Sequence, residues 1–240
     1  ITNGGILVYN EDDAEVKRVS ETATNPIRKL PYTTPAYSVN DGVTLLETPE
    51  GPMPIEVFGA HNLNNLAGAK WICQNMGVDE ADFYEAIASF KGASKRLEKI
   101  AEGKGRVAYK DFAHSPSKVA ATTKAVKEQY PNRTLVACLE LHTYSSLNAE
   151  FLKEYEGALE YADEAVVFYS PDAVKIKQLE EVTYEQIAKA FNRKDLIIYT
   201  NPAEFKQYLF NRNLDNSALL LMSSGNYGGL NFDEVKQLIE

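Results

Sequence analysis

The sequence has few cysteines and no apolar run long enough for a membrane-spanning helix. Its two cysteines, Cys73 and Cys138, stand in a helix-like and a strand-like pattern, so we expect two buried free thiols and no disulfide framework. The longest apolar runs, "TLVACLEL" and "ALLLM", fall well short of the roughly 20 residues that span a bilayer. No basic and then apolar leader opens the chain. We therefore expect a cytoplasmic protein that does not insert into a membrane.

Clustered positive charge is also missing. The chain has 25 Lys and Arg residues against 34 Asp and Glu residues, and its formal net charge at pH 7 is -9. The basic residues are interspersed with acidic ones, as in "KAVKEQYPNR", whereas a phosphate backbone is bound by grouped Lys and Arg. These charges predict a solvated surface and no nucleic-acid partner.

Common catalytic and phosphate-binding motifs are absent as well. The sequence contains no G-x-x-x-x-G-K-[ST] loop, and its one G-x-G, in "GKGRVA", precedes a strand-like segment, whereas a dinucleotide fingerprint follows one. His61, His114 and His142 lie in separate connections without the short spacing of zinc motifs, so no metal site is predicted. No G-x-S-x-G or cysteine-based nucleophile signature is present. The chain therefore lacks a complete nucleotide site of its own.

The pattern of predicted secondary structure changes near residue 103. Residues 1–102 combine the strand-like "GILVY" and helical patterns with short Pro-rich and Tyr-rich stretches, which predict small antiparallel strands. In residues 103–240, strand-like segments such as "RTLVACLE" alternate with helical ones such as "PSKVAATTKAVKEQ" and "NAEFLKEYEGALEY". This alternation predicts an α/β fold with a Rossmann-like, mainly parallel, doubly wound sheet. We place the domain boundary in the Gly- and Lys-rich "AEGKGR", between residues 102 and 103.

The segment "GAHNLNNLAGAKW" predicts a helix with a polar first turn. Apolar residues such as Ile72 recur at helical spacing after Gly59, and Gly77 supplies a stop signal. Of the two asparagines Asn62 and Asn65, one is explained as an N-cap whose side chain accepts a backbone N–H. The other lies three residues along on the same face, and capping does not need it.

Polar side chains also follow three predicted strands, at the edge where open α/β sheets bind ligands. They belong to "KDFAHSP", "ELHTYSS" and "SSGNYGG". Asp111, in the first segment, suits either ribose hydroxyls or a local turn, and His114 suits either a phosphate or a structural role. The glycine-rich third segment suits either an anion-binding concavity or a plain tight connection.

The order "GAHNLNNLAGA", "FKGASKRLE" and "KDFAHSPSKV" resembles the Mur ligases, the ATP-dependent amino-acid and peptide ligases of bacterial peptidoglycan synthesis. The resemblance covers the chain as the rear part of the central ATPase domain, residues 1–102, and the C-terminal domain, residues 103–240. "DFAH" and "MSSGNYGG" are similar to the murein peptide ligases of peptidoglycan recycling. "ELHTYSSL" is similar to the murein-peptide-ligase-like synthetases of Bacteroidetes.

The resemblance implies roles for individual residues. Asn62 and Asn65 would line the adenine site of ATP, Arg96 would reach a phosphate, and Asp111 would bind the ribose. Arg96 and His114 would act in catalysis. Four residues would face the incoming amine substrate: His114, His142, Ser145 and Asn226. Because the chain starts at Ile1 without a methionine, we interpret it as a piece of a longer protein that holds the phosphate loop and most Mg²⁺ ligands. We expect the piece alone to be inactive.

The implied reaction is ATP-dependent amide formation. ATP phosphorylates the carboxylate of UDP-N-acetylmuramate, and the amine of an amino acid or peptide then attacks the acyl phosphate. Lys110 and Ser115 depart from the common pattern of the family, and "ELHTYSS" does too, so both a tripeptide and L-alanine stay open as the amine. A non-catalytic nucleotide-binding or peptide-binding module is the alternative from another class.

Overall fold

The computed structural model describes residues 1–40, 42–179 and 182–240. They form two compact units, Ile1–Lys91 and Gly92–Glu240, called here the N-terminal and C-terminal units. The boundary predicted between residues 102 and 103 falls inside a strand, Glu98–Gly103, of the C-terminal unit. The segment "AEGKGR", read as a linker, is the end of that strand and the tight turn of a hairpin, in which Gly105 has a φ of 75°. Its glycines serve the turn, because a left-handed backbone favours glycine.

The described part of the N-terminal unit contains two small sheets and three helices. In chain order these are β1 (Ile6–Asn10), α1 (Ala14–Thr22), β2 (Arg28–Tyr32), β3 (Tyr37–Asn40), β4 (Val43–Thr48), β5 (Gly51–Ile55), α2 (Ala60–Asn75) and α3 (Glu80–Ala88). Strands β3, β4 and β5 form the expected antiparallel sheet, whereas β2 pairs with β1 in parallel. Helix α1 supplies the crossover that a parallel pair requires, which is why β2 departs from the antiparallel prediction.

A small apolar core joins the antiparallel sheet of this unit to its last two helices. Leu46 and Ile55 from the sheet meet Leu63 and Phe83 from α2 and α3, all of them buried. Ile72, which the helical spacing placed on the apolar face of α2, is 51% exposed. The apolar face of α2 is therefore narrower than the sequence pattern predicts.

The C-terminal unit carries a six-stranded sheet in the order β10-β9-β8-β11-β7-β6 over its described residues. Its elements are β6 (Glu98–Gly103), β7 (Arg106–Asp111), α4 (Pro116–Gln129), β8 (Thr134–Glu140), α5 (Ala149–Leu152), β9 (Glu164–Phe168), α6 (Pro171–Ile176), α7 (Tyr184–Phe191), β10 (Ile197–Tyr199), α8 (Pro202–Asn211), β11 (Ser217–Met222) and α9 (Phe232–Ile239). Neighbouring strands from β10 to β7 are parallel, and only β6 runs antiparallel at the edge. The predicted mainly parallel α/β fold is confirmed.

Helices cover both faces of this sheet. On one face, Phe205 of α8 and Val235 of α9 share a buried cluster with Leu221 of β11. On the other face, Thr123 of α4 donates from its hydroxyl toward the sulfur of Met222, the next residue of β11. Because successive strand residues point to opposite faces, α4 lies across the sheet from α8 and α9. The sheet is therefore doubly wound, and the carboxyl ends of its parallel strands meet at one edge.

The prediction of a long helix from "NAEFLKEYEGALEY" is wrong. Helix α5 is a single turn, a 3-10 turn follows at Lys153–Tyr155, and Gly157 then takes a φ of 73°. A residue in this left-handed conformation ends a helix. The buried apolar residues that follow Gly157 therefore belong to an irregular segment and not to a helix. In the described ranges, no helix is both long and apolar enough to cross a membrane.

The two thiols have different surroundings. Cys138 lies fully buried in the centre of β8, and this burial raises the pKa of its thiol to about 12. Cys73 on α2 is partly exposed, so the expected burial is confirmed for Cys138 alone.

We expect a thiol-specific reagent to modify Cys73 but not Cys138 in the folded chain, because only an accessible thiolate reacts. Counting modified thiols by mass spectrometry near pH 8, before and after denaturation, measures this. The variant Cys73→Ser should show no reaction while folded and one modified thiol when unfolded. Equal labelling of both cysteines in the folded chain would contradict the burial of Cys138.

Candidate functional site

Asn62 and Asn65 lie on one side of the first two turns of α2 in the N-terminal unit. Gly59, with a φ of 86°, occupies the N-cap position, and no side chain caps the helix, so the predicted capping role of an asparagine is wrong. The amide nitrogen of Asn62 donates to the carbonyl of Phe58 at 2.9 Å. Asn65 is exposed. Neither amide caps the helix, and the exposed amide of Asn65 is available for a polar ligand.

The neighbouring Asn64 fixes α2 to the strand ends of its unit. Its amide nitrogen lies 3.3 Å from Oδ1 of Asn10, 3.2 Å from Oδ2 of Asp12 and 3.1 Å from Oγ1 of Thr34. Asn10 ends β1, and Thr34 follows β2. This contact holds the asparagine-rich turn at the carboxyl ends of two parallel strands, and sequence reasoning did not single out Asn64.

Asp111 ends β7 in the C-terminal unit and is only 6% exposed. Its Oδ1 accepts the backbone N–H of Ala113 at 2.6 Å, and its Oδ2 accepts that of Leu97 at 2.7 Å. The first contact is the local turn that the sequence allowed. The second contact, with Leu97, fixes the segment that directly precedes β6. Asp111 therefore shapes backbone, and its contact with a ribose stays a prediction.

Arg96 lies in the segment that Asp111 holds. The residues on either side of it, Lys95 and Leu97, have φ values of 55° and 43°. Such angles are uncommon outside glycine and cluster at functional sites. The backbone N–H of Phe112 donates to the carbonyl of Lys95 at 2.9 Å, and the Arg96 guanidinium lies 5.6 Å from the centre of the Phe112 ring. Over the described residues Arg96 is exposed and has no carboxylate within ion-pair distance.

His114 extends this row of side chains. Its ring lies edge-on to Phe112, with the ring centres 5.1 Å apart. Its Nδ1 is 2.7 Å from the carbonyl oxygen of Phe112. Since that oxygen can only accept, Nδ1 carries the proton and Nε2 of the neutral ring is an acceptor. The hydroxyl of Tyr155 donates to the carbonyl of His114 and holds its backbone. The fold thus brings together a free cation, an aromatic ring and an imidazole with an available lone pair.

A second buried carboxylate, Glu140, ends the adjacent strand β8 and is 3% exposed. Its Oε2 accepts the hydroxyl of Ser223 and the backbone N–H of Tyr227, the latter at 2.8 Å. Its Oε1 is 3.6 Å from Nδ1 of His142. No role for Glu140 is predicted from the sequence, although an acidic residue directly after the apolar run "TLVACL" indicates a strand end where a ligand could bind.

The glycine-rich loop, residues 223–229, is engaged within the protein. The N–H of Gly225 donates to the Ser223 hydroxyl at 2.6 Å, and that of Tyr227 goes to Glu140. The N–H of Gly229 goes to the carbonyl of Asn226 at 3.0 Å. These three N–H groups already have acceptors within the protein, as a tight connection requires, so they are not free to bind an anion.

The remaining predicted residues line the rim of this edge. The His142 side chain is 40% exposed, and an added Cβ at Gly225 would lie 3.0 Å from its ring. Asn226 is exposed on the same loop as Gly225. Ser145 is exposed, and its hydroxyl lies 3.2 Å from the hydroxyl of Thr143 in its own turn. The structure therefore joins His142 to the glycine-rich loop and leaves Ser145 apart from it.

The described residues hold no group of three or more His, Cys, Asp or Glu side chains that would bind a metal ion. Asp111 and Glu140, the buried carboxylates of the site, already accept hydrogen bonds from the backbone.

The sequence of the chain is similar to those of known proteins. Residues 95–225 match the family model "Mur ligase, glutamate ligase domain". The UDP-N-acetylmuramate–L-alanine ligase of Caldicellulosiruptor bescii is 29% identical over 179 residues, which are 70% of this chain and 39% of that protein. The chain therefore spans less than half of this curated relative.

Solved structures share the fold at low sequence identity. A murein peptide ligase from Psychrobacter arcticus superposes with a TM-score of 0.64 and 17% identity over 100% of this chain and 52% of that one. The MurF ligase of Thermotoga maritima, solved in complex with ADP, gives a TM-score of 0.67 and 17% identity over 99% of this chain and 53% of that one.

Proposed function

Because the chain belongs to the Mur ligase family, we propose that it is part of a longer ATP-dependent amide ligase of peptidoglycan synthesis. The observation that carries this proposal is the row formed by Arg96, Phe112 and His114 at the carboxyl edge of the sheet. That edge is where α/β sheets place their ligands. An unpaired guanidinium and an imidazole with a free acceptor, both next to the Phe112 ring, suit phosphoryl transfer to a carboxylate and the acyl transfer to an amine that follows it.

ATP is the proposed nucleotide. Arg96 neutralises charge on a phosphate, since a guanidinium presents several donors that match phosphate oxygens. In the N-terminal unit, Asn62 and Asn65 contact the adenine base, whose edge offers both donors and acceptors to a side-chain amide. Support for a nucleotide also comes from the MurF relative, which was solved with ADP.

The proposed reaction has two steps. The carboxylate of UDP-N-acetylmuramate attacks the γ-phosphate of ATP, which yields an acyl phosphate and ADP. The nitrogen of the amine substrate then attacks the acyl carbon, the bond to phosphate breaks, and inorganic phosphate leaves. His114 takes up the proton that the amine nitrogen loses, through its unprotonated Nε2. The surrounding protein contributes orientation and charge neutralisation.

The amine is proposed to be a peptide. Three side chains in the segments that follow β8 and β11 are at least partly exposed, namely His142, Tyr144 and Asn226. Exposed polar groups at this edge suit a substrate larger than one amino acid. The second candidate is L-alanine, because the curated relative from Caldicellulosiruptor bescii is an L-alanine ligase. The two differ in the size of the group that must fit beside His142.

We expect the full-length enzyme that contains this chain to release phosphate from MgATP only when UDP-N-acetylmuramate and an amine are both present. Assays with L-alanine and with a tripeptide, run separately, decide between the two amines, and the tripeptide should give the higher kcat/KM. The variant Arg96→Ala should lower kcat/KM for ATP by about 100-fold or more, since it removes a charge that stabilises the transition state.

The matched control is Arg18→Ala, because the Arg18 side chain is 62% exposed on α1 of the N-terminal unit. It should leave the kinetics unchanged. The isolated chain is a second control and should release no phosphate, since its sequence lacks a phosphate loop. An Arg96→Ala enzyme with the original kcat/KM, or an enzyme that ligates no amine, would refute the proposed function.

A further inference from the structure

Glu140 is a buried negative charge that the proposed chemistry does not use. Its side chain is 3% exposed, so a substrate cannot reach it directly. Among the described residues, His142 is the only group able to carry a positive charge within 4.0 Å of its carboxylate. Burying a carboxylate is costly unless hydrogen bonds compensate for the lost water, so the groups that donate to Glu140 show what this side chain holds in place.

The carboxylate holds the glycine-rich loop through one oxygen. Oε2 accepts the Ser223 hydroxyl and the Tyr227 N–H, and the same hydroxyl accepts the N–H of Gly225. Ser223 lies 83 positions after Glu140 in the sequence, and Tyr227 lies 87 positions after it. The loop between Ser223 and Tyr227 is therefore closed onto the end of β8.

The other oxygen faces the imidazole of His142. Oε1 lies 3.6 Å from Nδ1, and Gly225 packs against both partners. A Cβ added at Gly225 would lie 2.8 Å from Oε2 of Glu140 and 3.0 Å from Cγ of His142. Only glycine leaves room for this approach, so the loop, the carboxylate and the imidazole share one tight contact.

We infer that Glu140 is a positioning residue for the amine substrate, acting through His142 and residues 223–229. This inference rests on the proposed function. Glu140 fixes the loop that carries Asn226 and the orientation of the His142 ring, and these two exposed side chains then meet the amine. The carboxylate itself does not contact substrate or nucleotide.

The test uses Glu140→Gln in the full-length ligase that contains this chain. The amide keeps the shape of the side chain and removes its charge, so the enzyme should fold. We expect the KM for the amine substrate to rise about tenfold, which corresponds to losing a charge-assisted hydrogen bond. The KM values for ATP and UDP-N-acetylmuramate should stay within about twofold, because a positioning role at the amine does not weaken other substrates.

Two further variants test whether the effect is specific to the contact between Glu140, Gly225 and His142. Gly225→Ala should reproduce the selective rise in the amine KM, because its Cβ displaces Glu140 and His142. Glu164→Gln is the matched control, since Glu164 starts β9 at the opposite end of the same sheet and is hydrogen-bonded to Arg212. It should leave the amine KM unchanged.

Amide hydrogen exchange in the 240-residue chain tests the loop contact without any catalysis. Glu140→Gln should speed exchange of the Tyr227 amide about tenfold, since its acceptor loses charge. An active Glu140→Gln enzyme with an unchanged amine KM, or with all KM values raised alike, would overturn the inference alone. An unsubstituted enzyme that ligates no amine would instead overturn the proposed function, and this inference with it.

Discussion

Replacing Asp111 by alanine should destabilise the chain by about 3 kcal/mol or more, since two charge-assisted hydrogen bonds of about 1.5–3 kcal/mol each are lost. The Leu97 and Ala113 N–H groups that Asp111 accepts lie in buried surroundings, so both are left without an acceptor. Leu97 also has a φ of 43°, a conformation of higher energy that its bond to Asp111 stabilises.

Urea unfolding followed by circular dichroism measures this loss, and hydrogen exchange locates it at the Leu97 and Ala113 amides. Asp172→Ala is the matched control, because the Asp172 side chain is 88% exposed, and it should change the free energy of unfolding by less than about 0.5 kcal/mol. If Asp111→Ala proved as stable as this control, Asp111 would not hold the segment around Arg96.

Replacing Tyr227 by alanine should cost about 3–5 kcal/mol, as large-to-small changes of buried aromatic residues do. Tyr227 is 1% exposed, and its ring stacks on Phe205 at 5.0 Å between centres with planes 12° apart. Its hydroxyl is shared between the carbonyls of Cys138 at 2.7 Å and Met222 at 2.9 Å. The substitution removes this packing and leaves a cavity under the glycine-rich loop.

Thermal and urea unfolding of three variants separate the contributions. Tyr227→Phe keeps the ring and should cost about 1–3 kcal/mol, because the buried carbonyls lose their donor. Tyr144→Ala is the exposed control, with a side chain 63% exposed, and should cost less than about 1 kcal/mol. A Tyr227→Ala chain that unfolds like Tyr144→Ala would show that the loop is not anchored through this ring.

Local signals were sufficient for several elements. The pattern "PSKVAATTKAVKEQ" coincides with α4, Pro116–Gln129, since a proline at the first helical position and apolar residues at helical spacing act within the segment. The pattern "YEQIAKAF" coincides with α7, which begins at a capping box between Thr183 and Gln186. These features depend on residues three or four positions apart, so the sequence displays them directly.

Elements defined by distant partners were missed. Strand β6 exists because Glu98–Gly103 pairs with β7 across a tight turn, and its glycines indicated a linker instead. Strand β2 runs parallel to its partner because it pairs with β1, from which helix α1 separates it in the sequence. In both cases the pairing partner, and not the segment's own composition, determines the structure.

The residues of the candidate site divide in the same way. From sequence alone, Asp111 and His114 follow one strand and Glu140 another, because hydrophobic runs reveal where parallel strands end and hence where a site forms. What each carboxylate holds depended on the fold: Asp111 accepts an N–H 14 residues away, and Glu140 accepts one 87 residues away. Such contacts form only when the sheet brings separate strand ends together, since hydrogen bonds act over about 3 Å and carry no local sequence pattern.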